Sequence, residues 1–252
     1  MAVLTDRESA STAIGAGAAA VLVVADPRTA MGPAAAWAYG DPATSMLLLG
    51  VTGTNGKTTT SYLIESGLRA AGRTTGLVGT IETRIGGEAV PSARTTPEAT
   101  ELHALLALMK ERGVDAVVME VSSHALALGR VDGVVFDVAG FTNLSQDHLD
   151  FHRDMADYYA AKASLFGPDR ARRAVVNVDD AWGVRLGAEA TVPVITTGVG
   201  REATWRRVDE VPASAGSAGS VRLVGPDDVT VDVGCALLGT VNLVNAVTAY
   251  LM

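Results

Sequence analysis

The chain has 252 residues, of which 48% are hydrophobic and 19% are charged, so it is long enough to bury a sizeable core. Its net charge of -8 and its lack of a basic tract argue against nucleic-acid binding. A single cysteine, Cys235, excludes an internal disulfide and a cysteine-based zinc cluster and favours a reducing compartment. Because the apolar runs are short and the N-terminus is acidic, we expect a cytoplasmic protein without a signal peptide or a membrane partner. We also expect a monomer.

The first part of the chain, residues 1–45, is rich in alanine and contains one strand-like run at Ala20–Val24. Pro27, Pro33 and Pro42 are interpreted as breaks between elements. From Met46 onward the pattern alternates between apolar runs and helical stretches. The predicted elements are, in chain order, a strand at Met46–Val51, a helix at Lys57–Ala71, a strand at Leu77–Ile81, a helix at Pro97–Arg112, strands at Ala116–Val121 and Val134–Thr142, a helix at Asp154–Phe166 and a strand at Ala174–Val178. Residues 201–235 indicate irregular structure or antiparallel strands, with a flexible loop at Ser214–Ser220, and a helix begins near Thr240.

Continuously apolar strands that are separated by helices are typical of a parallel sheet buried on both faces. We therefore predict an α/β fold with a mostly parallel sheet flanked by helices. The predicted divisions are a short N-terminal remnant with a linker at 1–45, a central domain at 46–239 and the start of a C-terminal segment at 240–252. Pro97 is predicted at the start of its helix, where its missing N–H group would have no partner.

The strongest motif is the glycine-rich segment at residues 50–60, GVTGTNGKTTT, which follows an apolar strand and opens a helix. Its glycines allow backbone N–H groups to turn toward phosphate oxygens, while Lys57 and the helix N-terminus supply positive charge. Thr58 would place a hydroxyl on Mg²⁺. Val51 stands where the strict phosphate-loop pattern has glycine, so the simpler alternative is a glycine-rich turn with a chance Lys-Thr pair. The strand-to-helix context favours nucleotide binding.

Two more strand ends carry polar side chains. Glu120 ends the strand that begins at Ala116, and His148 follows the strand that ends at Thr142. Carboxyl ends of parallel strands meet at one edge of the sheet, so the sequence predicts a magnesium–nucleotide site there. The structural alternatives are a helix-capping role for Glu120 and a surface role for His148. A serine nucleophile is disfavoured, because the chain has no G-x-S-x-G motif.

Several segments, in this order, resemble those of the Mur ligases, which use ATP to join amino acids to the peptidoglycan precursor. They are GTNGKTT at 53–59, RTTPE at 94–98, EVSSHALALGR at 120–130, TNLSQDHLDFH at 142–152, YAAKASLF at 159–166, NVDD at 177–180 and GTVNLVNA at 239–246. The chain departs from the family pattern at Leu128 and Val241. The resemblance is greatest to the members that add meso-diaminopimelate or L-lysine to UDP-MurNAc-L-Ala-D-Glu.

The resemblance implies an ATP-dependent ligase that forms an acyl-phosphate on the substrate carboxylate, and it implies roles for individual residues. The ATP-binding residues would be Gly53, Thr54, Asn55, Gly56, Lys57, Thr58, Thr59, Asn242 and Asn245. The residues that hold the UDP-muramoyl dipeptide would be Thr95, Thr96, Ser122 and Arg130. One magnesium would bind Thr58 and Glu120, and a second would bind His148 and Lys162, the latter as a carbamate formed with CO₂. Lys57, Lys162, Glu120 and His148 are the expected catalytic residues.

The resemblance covers the chain from about Met46 to its end, and residues 1–45 would be the remnant of a UDP-binding domain. Relatives have a further C-terminal domain that binds the amino acid, so we expect this chain to bind ATP·Mg²⁺ but not to ligate by itself. The alternatives are a nucleotide-binding fragment without turnover and a ligase of the folylpolyglutamate synthetase kind.

Overall fold

The computed structural model describes residues 2–92, 94–215 and 217–252. The N-terminal part contains β1 (Ala2–Thr5), α1 (Ala10–Gly15), β2 (Ala20–Val23) and α2 (Pro27–Ala38), and β1 pairs with β2 in parallel. The predicted strand at Ala20–Val24 is confirmed as β2. The interpretation of Pro27 and Pro33 as breaks between elements is wrong, because both lie in α2. Pro27 is the first helical residue, where a proline loses no hydrogen bond.

The remaining elements alternate between strands and helices as predicted, except in two runs of consecutive strands. They are β3 (Leu47–Thr52), α3 (Lys57–Ala70), β4 (Thr75–Val78), β5 (Glu82–Ile85), β6 (Glu88–Pro91), α4 (Ala99–Glu111), β7 (Ala116–Glu120), α5 (Ser123–Ala127), β8 (Val138–Phe141), α6 (Met155–Ala163), β9 (Ala174–Asn177), α7 (Ala181–Glu189), β10 (Val194–Gly198), β11 (Trp205–Val211), β12 (Gly219–Val224), β13 (Thr230–Cys235) and α8 (Thr240–Leu251). The two runs of consecutive strands are β4–β6 and β10–β13, which have no α-helix between their strands. Short 3-10 turns lie at Pro42–Ser45, Ser164–Phe166 and Pro226–Asp228.

Strands β3 to β13 form one sheet in the order β13-β12-β11-β10-β9-β8-β3-β7-β4-β5-β6. The seven strands from β11 to β4 in this order pair in parallel, whereas β5, β6, β12 and β13 add antiparallel edges. The predicted α/β fold with a mostly parallel sheet is confirmed. No helix in the described ranges has the length and apolar character that a bilayer crossing requires.

The middle of the sheet is covered on both faces, which explains why its strands lack an apolar–polar alternation. Leu48 of β3 packs into one buried cluster with Phe136 and Met119, while its neighbour Leu49 packs into another with Ile64 of α3. Successive side chains of a strand point to opposite faces. A strand that has helices on both sides must therefore be apolar on both of its faces, as β3 and β7 are at every position except the last.

Several predicted boundaries are corrected by the structure. Helix α4 begins at Ala99 with Glu98 as its N-cap, so Pro97 precedes the cap and does not open the helix. Strand β4 ends at Val78 instead of Ile81, and the strand predicted at Val134–Thr142 is reduced to β8, since only Val138–Phe141 pair fully with β3. The helix predicted to reach Phe166 ends at Ala163 in a 3-10 turn.

The structure also contains elements that the sequence pattern did not predict, namely β1, α1, α2, the β5–β6 hairpin, α5, α7 and β10. The hairpin turn consists of Gly86 and Gly87, both with positive φ, and two-residue turns of this kind favour glycine. The predicted Ser214–Ser220 loop ends at Gly219, where β12 begins, and Gly216 within it lies outside the described residues.

Candidate nucleotide-binding site

A cavity of about 620 Å³ lies at the carboxyl ends of the adjacent strands β8, β3, β7 and β4. The predicted site residues that line it are Thr54, Asn55, Gly56, Lys57, Thr58, Thr59, Thr95, Thr96, Glu120, Ser122, Arg130 and His148. Four further residues of the lining were not predicted as site residues, namely Thr80, Arg94, His124 and Asp147. Parallel strands thus bring chain segments that are distant in sequence to one edge of the sheet.

The loop between β3 and α3, residues 53–56, has the backbone conformation that its glycines allow. Gly53 and Gly56 have φ values of 145° and 88°, which residues with a side chain rarely adopt. A Cβ atom on Gly53 would lie 2.0 Å from the Thr142 hydroxyl oxygen, and one on Gly56 would lie 2.4 Å from Oδ1 of Asn245. Both positions therefore require glycine for space as well as for conformation.

The segment after β8 holds this phosphate loop from the other side. The Asn55 backbone N–H donates to Oδ1 of Asn143 at 3.1 Å, and the Asn143 amide donates back to the Asn55 carbonyl at 3.0 Å. The Thr142 hydroxyl donates to the same carbonyl at 2.6 Å, and the Thr54 N–H donates to the Asn143 carbonyl at 2.9 Å. These bonds preorganise the loop.

Lys57, the first residue of α3, supplies the loop's positive charge. Its Nζ donates to the carbonyls of Gly53 at 3.0 Å and Thr54 at 2.9 Å. The pKa of Lys57 lies below its ordinary value because of burial, against a smaller opposing effect of the nearby carboxylates Glu120 and Asp147. An ammonium group at a helix N-terminus inside a loop of backbone N–H groups is suited to polyphosphate.

Glu120, at the end of β7, is the carboxylate of the site and is only 1% exposed. Its Oε2 accepts hydrogen bonds from the hydroxyls of Thr58 at 2.9 Å and Thr80 at 3.0 Å, and its Oε1 accepts from the Thr80 N–H at 2.9 Å. The predicted proximity of Thr58 and Glu120 is therefore present in the structure. A buried carboxylate beside a threonine hydroxyl offers the oxygen ligands that a hard divalent cation prefers.

Lys162 on α6 lies below the phosphate loop and does not line the cavity. It is 1% exposed, its Nζ donates to the Gly53 carbonyl at 2.9 Å, and it lies 4.7 Å from the centre of the Tyr158 ring. Burial, together with repulsion from Lys57, moves the pKa of Lys162 well below its ordinary value, against an opposing effect of Asp147. The structure thus joins Lys57 and Lys162 at one carbonyl and favours the neutral amine at Lys162.

His148 lies in the loop after β8, next to other aromatic rings. Its φ is 53°, its side chain is 43% exposed, and its Nε2 is 3.5 Å from the Asp147 carboxylate. The ring centroids of His148 and His124 are 4.9 Å apart, and those of His148 and Tyr158 are 6.1 Å apart. His148 and Lys162 therefore approach the same Tyr158 ring.

The side chains predicted to hold the second substrate form a polar wall opposite the phosphate loop. The Thr96 hydroxyl donates to the Glu120 carbonyl at 2.8 Å and accepts from the Ser122 N–H at 3.2 Å. The hydroxyl oxygens of Thr95 and Thr80 are 3.0 Å apart. Arg130 completes this wall and forms a 2.8 Å ion pair with Glu98.

Asn242 and Asn245 lie on α8, outside the lining of the main cavity. The Asn245 side chain packs against Gly56, and its Nδ2 donates to Oδ1 of Asn242 at 3.4 Å. The Asn242 amide in turn donates to the Leu238 carbonyl at 2.8 Å. Beside the phosphate loop lies a second, apolar cleft of about 540 Å³. It is lined by Thr58, Thr59, Tyr62, Leu63, Ile81 and residues 234–237.

Thr80 and Asp147 line the cavity and were not predicted as site residues from the sequence. Thr80 follows β4 at the same sheet edge as Glu120, so the strand-end rule that selected Glu120 could also have selected Thr80. Asp147 directly precedes His148, and its charge acts on both lysines. Within the described ranges, no group of three or more His, Cys, Asp or Glu side chains is arranged so that it could hold a metal ion by itself.

Residues 51–252 match the family model described as the Mur ligase middle domain. The chain is 53% identical over 251 residues to the UDP-N-acetylmuramoyl-L-alanyl-D-glutamate--2,6-diaminopimelate ligase of Streptomyces avermitilis, covering 99% of this chain and 49% of that protein. It is 50% identical over 256 residues to the UDP-N-acetylmuramyl-tripeptide synthetase of Leifsonia xyli subsp. xyli, covering 100% of this chain and 49% of that protein. The chain thus spans about half the length of the curated relatives it matches.

Solved structures show the same architecture. A structure of UDP-N-acetylmuramoyl-L-alanyl-D-glutamate--2,6-diaminopimelate ligase aligns with a TM-score of 0.81 at 28% identity and covers 97% of this chain and 53% of that one. A folylpolyglutamate synthase from Mycobacterium tuberculosis aligns with a TM-score of 0.69 at 20% identity, covering 89% of this chain and 58% of that one, which indicates a shared fold. From its family match, its relatives and its phosphate-loop sheet edge, the chain belongs to the Mur ligase family.

Proposed function

We propose that this chain is the nucleotide-binding part of an ATP-dependent ligase that adds an amino acid to UDP-MurNAc-L-Ala-D-Glu in peptidoglycan synthesis. Relatives named as 2,6-diaminopimelate ligases favour meso-diaminopimelate as that amino acid over L-lysine. The observation that carries the proposal is the meeting of Lys57 and a buried Lys162 at the Gly53 carbonyl. Phosphate binding by the loop requires a lysine such as Lys57, but it does not require a second, buried lysine such as Lys162.

The proposed function also assigns a role to each of the three predicted divisions of the chain. Residues 1–45 would be part of a domain for the UDP moiety, 46–239 the central ATP-binding domain, and 240–252 the start of a C-terminal segment. The expected setting is the cytoplasm, where the UDP-muramoyl dipeptide and the amino acid are the partners of a monomer. An acidic chain gives no support for nucleic acid as a partner.

In this proposal the triphosphate of ATP lies in the main cavity and its adenine ring lies in the apolar cleft. The triphosphate would lie along residues 53–59, against the N–H groups of the phosphate loop and the Lys57 ammonium. The adenine ring would enter the adjacent apolar cleft, since Thr58 and Thr59 line both spaces. Asn242 and Asn245 would then adjoin the base from α8, where Asn245 already packs against Gly56.

The residues present also fit divalent cations. Thr58 and Glu120 would hold one Mg²⁺ together with phosphate oxygens, and the ion would neutralise charge on the transferred phosphoryl group. A neutral Lys162 amine can attack CO₂, forming an N–C bond and releasing one proton, which leaves a carbamate anion. This anion and His148 would hold a second Mg²⁺, and the low pKa of Lys162 favours the amine form that the reaction needs.

In the ligation itself, this chain's residues would bind and orient the reactants. Thr95, Thr96, Ser122 and Arg130 would hold the dipeptide with its carboxylate oxygen facing the γ-phosphate. That oxygen forms a bond to phosphorus as the bond to ADP breaks, and the amine then displaces inorganic phosphate from the acyl carbon. Lys57 would remain on the phosphates throughout and offset their charge.

The test is a ligation assay on the protein as encoded, with ATP, Mg²⁺ and UDP-MurNAc-L-Ala-D-Glu. Meso-diaminopimelate and L-lysine are offered separately, and dihydrofolate with glutamate serves as the competing substrate pair. We expect a new UDP-muramoyl tripeptide and one phosphate released per ligation. Product from the folate pair would overturn the proposal in favour of a folylpolyglutamate synthetase-like enzyme.

A second measurement separates a ligase from a binding module. Calorimetric titration of residues 1–252 with a non-hydrolysable ATP analogue and Mg²⁺ is expected to show binding, since both the phosphate loop and Glu120 are present. We expect no ligation by this part alone. Nucleotide binding without any ligation by the protein as encoded would favour the alternative of a nucleotide-binding module without turnover.

A further inference from the structure

Glu98, at the N-terminus of α4, is shared between two arginines from different parts of the chain. Its Oε2 accepts from Nη2 of Arg28 at 2.8 Å, and its Oε1 pairs with Nη2 of Arg130 at 2.8 Å. Arg130 lines the main cavity, whereas Arg28 belongs to α2 in the N-terminal part. One carboxylate therefore links the N-terminal helix to the polar wall of the site.

The contact between α2 and this wall is tight along its length. The Arg28 Nε also donates to the Leu128 carbonyl at 2.6 Å, two residues before Arg130. One turn further along α2, Gly32 packs so closely on the following residues that a Cβ atom there would lie 2.3 Å from the Asp132 carbonyl oxygen. Helix α2 thus holds residues 128–132 at both ends, with Arg130 between them.

The ion pair between Arg28 and Glu98 affects which hydrogen bonds the Arg130 guanidinium can form. A guanidinium and a carboxylate prefer to pair through two parallel bonds, in which both carboxylate oxygens are used. Here Arg28 pairs with Oε2 of Glu98 and Arg130 with Oε1, and the Glu98 side chain also accepts a hydrogen bond from the Glu101 backbone N–H, so Arg130 has no two-bond pair with this carboxylate. In addition, Nε of Arg130 is buried without a hydrogen-bond partner in the described residues. The two guanidiniums and one carboxylate leave a net positive charge at the cavity wall.

We propose that Arg28 is a positioning residue for the anionic substrate: by occupying one oxygen of Glu98, it keeps Arg130 available to a substrate carboxylate. This inference rests on the proposed function, in which Arg130 holds the UDP-muramoyl dipeptide. Without Arg28, both oxygens of Glu98 would pair with Arg130, and the charge of that arginine would be neutralised within the protein. The N-terminal helix would thereby determine substrate affinity without contacting the reacting atoms.

The test measures ligation kinetics of the protein as encoded, with Arg28→Gln as the variant. We expect the KM for the UDP-muramoyl dipeptide to rise about tenfold, a typical coupling within one ion-pair network, with kcat and the KM for ATP nearly unchanged. Arg28→Lys, which keeps the charge beside Glu98, should restore most of the affinity. Arg73→Gln is the matched control, because Arg73 is a similarly exposed arginine that pairs with Asp115 away from the site.

The double variant Arg28→Gln/Glu98→Gln separates positioning from a loss of packing. Once Glu98 is uncharged it no longer competes for Arg130, so adding Arg28→Gln to Glu98→Gln should leave the dipeptide KM unchanged. An Arg28→Gln effect of the same size in both backgrounds, or no effect in the wild-type background, would overturn the inference while ligation by the wild type still supports the proposed function. If the wild type neither ligates the dipeptide nor binds it in calorimetry, the proposed function and this inference both fail.

Discussion

Lys57 and Lys162 donate to the same carbonyl, but we expect their substitution by alanine to have different effects, on nucleotide affinity for Lys57 and on turnover for Lys162. Lys57→Ala deletes a charge that would lie on the phosphates, so nucleotide affinity should fall by about 2–4 kcal/mol, the cost of truncating a buried charge-paired group. Calorimetry with a non-hydrolysable ATP analogue and Mg²⁺ measures the change. Lys110→Ala, which removes an exposed lysine of α4, is the control and should bind normally. Equal affinities for all three proteins would contradict a phosphate-binding role for Lys57.

Lys162→Ala should instead leave nucleotide affinity largely intact and reduce turnover severely, because the carbamate anion is lost. Acetate or formate could fill the space that the shortened side chain leaves and supply a replacement anion, so either is expected to restore part of the turnover. The measurement is the ligation rate of the protein as encoded, with and without these anions at fixed Mg²⁺ and ionic strength, and Lys57→Ala should not respond. Near-normal turnover of Lys162→Ala without any added anion would refute the carbamate.

The buried amine of Lys162 also makes stability depend on pH. In the unfolded chain it keeps its proton up to its ordinary pKa of 10.5, whereas in the folded protein burial lowers the pKa. The unfolded state therefore binds more protons at pH values between the lowered pKa of the folded protein and 10.5, and stability must rise with pH in that interval. In CO₂-free buffer, the unfolding free energy of the wild type relative to Lys162→Met should rise by up to about 1.4 kcal/mol per pH unit. Parallel curves from urea titrations would show that the amine is not buried as described.

At the scale of an element, two glycines of α3 are expected to respond oppositely to substitution by alanine: Gly56, the N-cap that belongs to the phosphate loop, and Gly67, in the helix interior. Gly56→Ala forces a side chain into a backbone with φ of 88° and against Asn245, so it should distort the loop and weaken nucleotide binding at least about tenfold. Gly67→Ala, in the interior of the same helix, meets nothing within 4 Å and should stabilise the protein by about 0.5–1 kcal/mol. Thermal unfolding and nucleotide titration of both variants give the comparison. An unchanged nucleotide affinity in Gly56→Ala would argue against a phosphate-binding loop.

The same scale explains which elements the sequence could predict. Strands β3 and β7 are apolar at every position except the last because both faces of the sheet are covered, and this pattern indicates a parallel α/β sheet. Helix α2 escaped prediction because Pro27 and Pro33 suggest a break, although the first proline suits a helix start and the second is tolerated in the folded helix. The end of β8 at Phe141 depends on pairing with β3, which no local pattern contains.

At the scale of the whole molecule, α8 closes the edge of the fold next to the phosphate loop. Leu243 is fully buried in a cluster with Val221 and Leu223, and it lies two residues before the Asn245 that packs against Gly56. Leu243→Ala should lower the free energy of unfolding by about 2–5 kcal/mol, the usual range for a buried leucine. Leu238→Ala, whose side chain is exposed, should change it by less than about 0.5 kcal/mol. Equal unfolding midpoints for both variants in urea would show that α8 is not part of this core.

The sequence by itself determined the fold class, the glycine-rich loop between β3 and α3, and the position of Glu120 at the same sheet edge. These follow from local signals, namely apolar runs, a glycine-rich turn before a helix, and the rule that parallel strand ends share one sheet edge. Only the tertiary structure decided that Lys162 reaches the Gly53 carbonyl, since those residues are 109 positions apart and Lys162 itself lies in an unremarkable helix. It also decided that Arg28 and Arg130 share Glu98, because that carboxylate lies 70 positions from Arg28. Such contacts arise when separate elements pack on one sheet, so no segment read alone contains them.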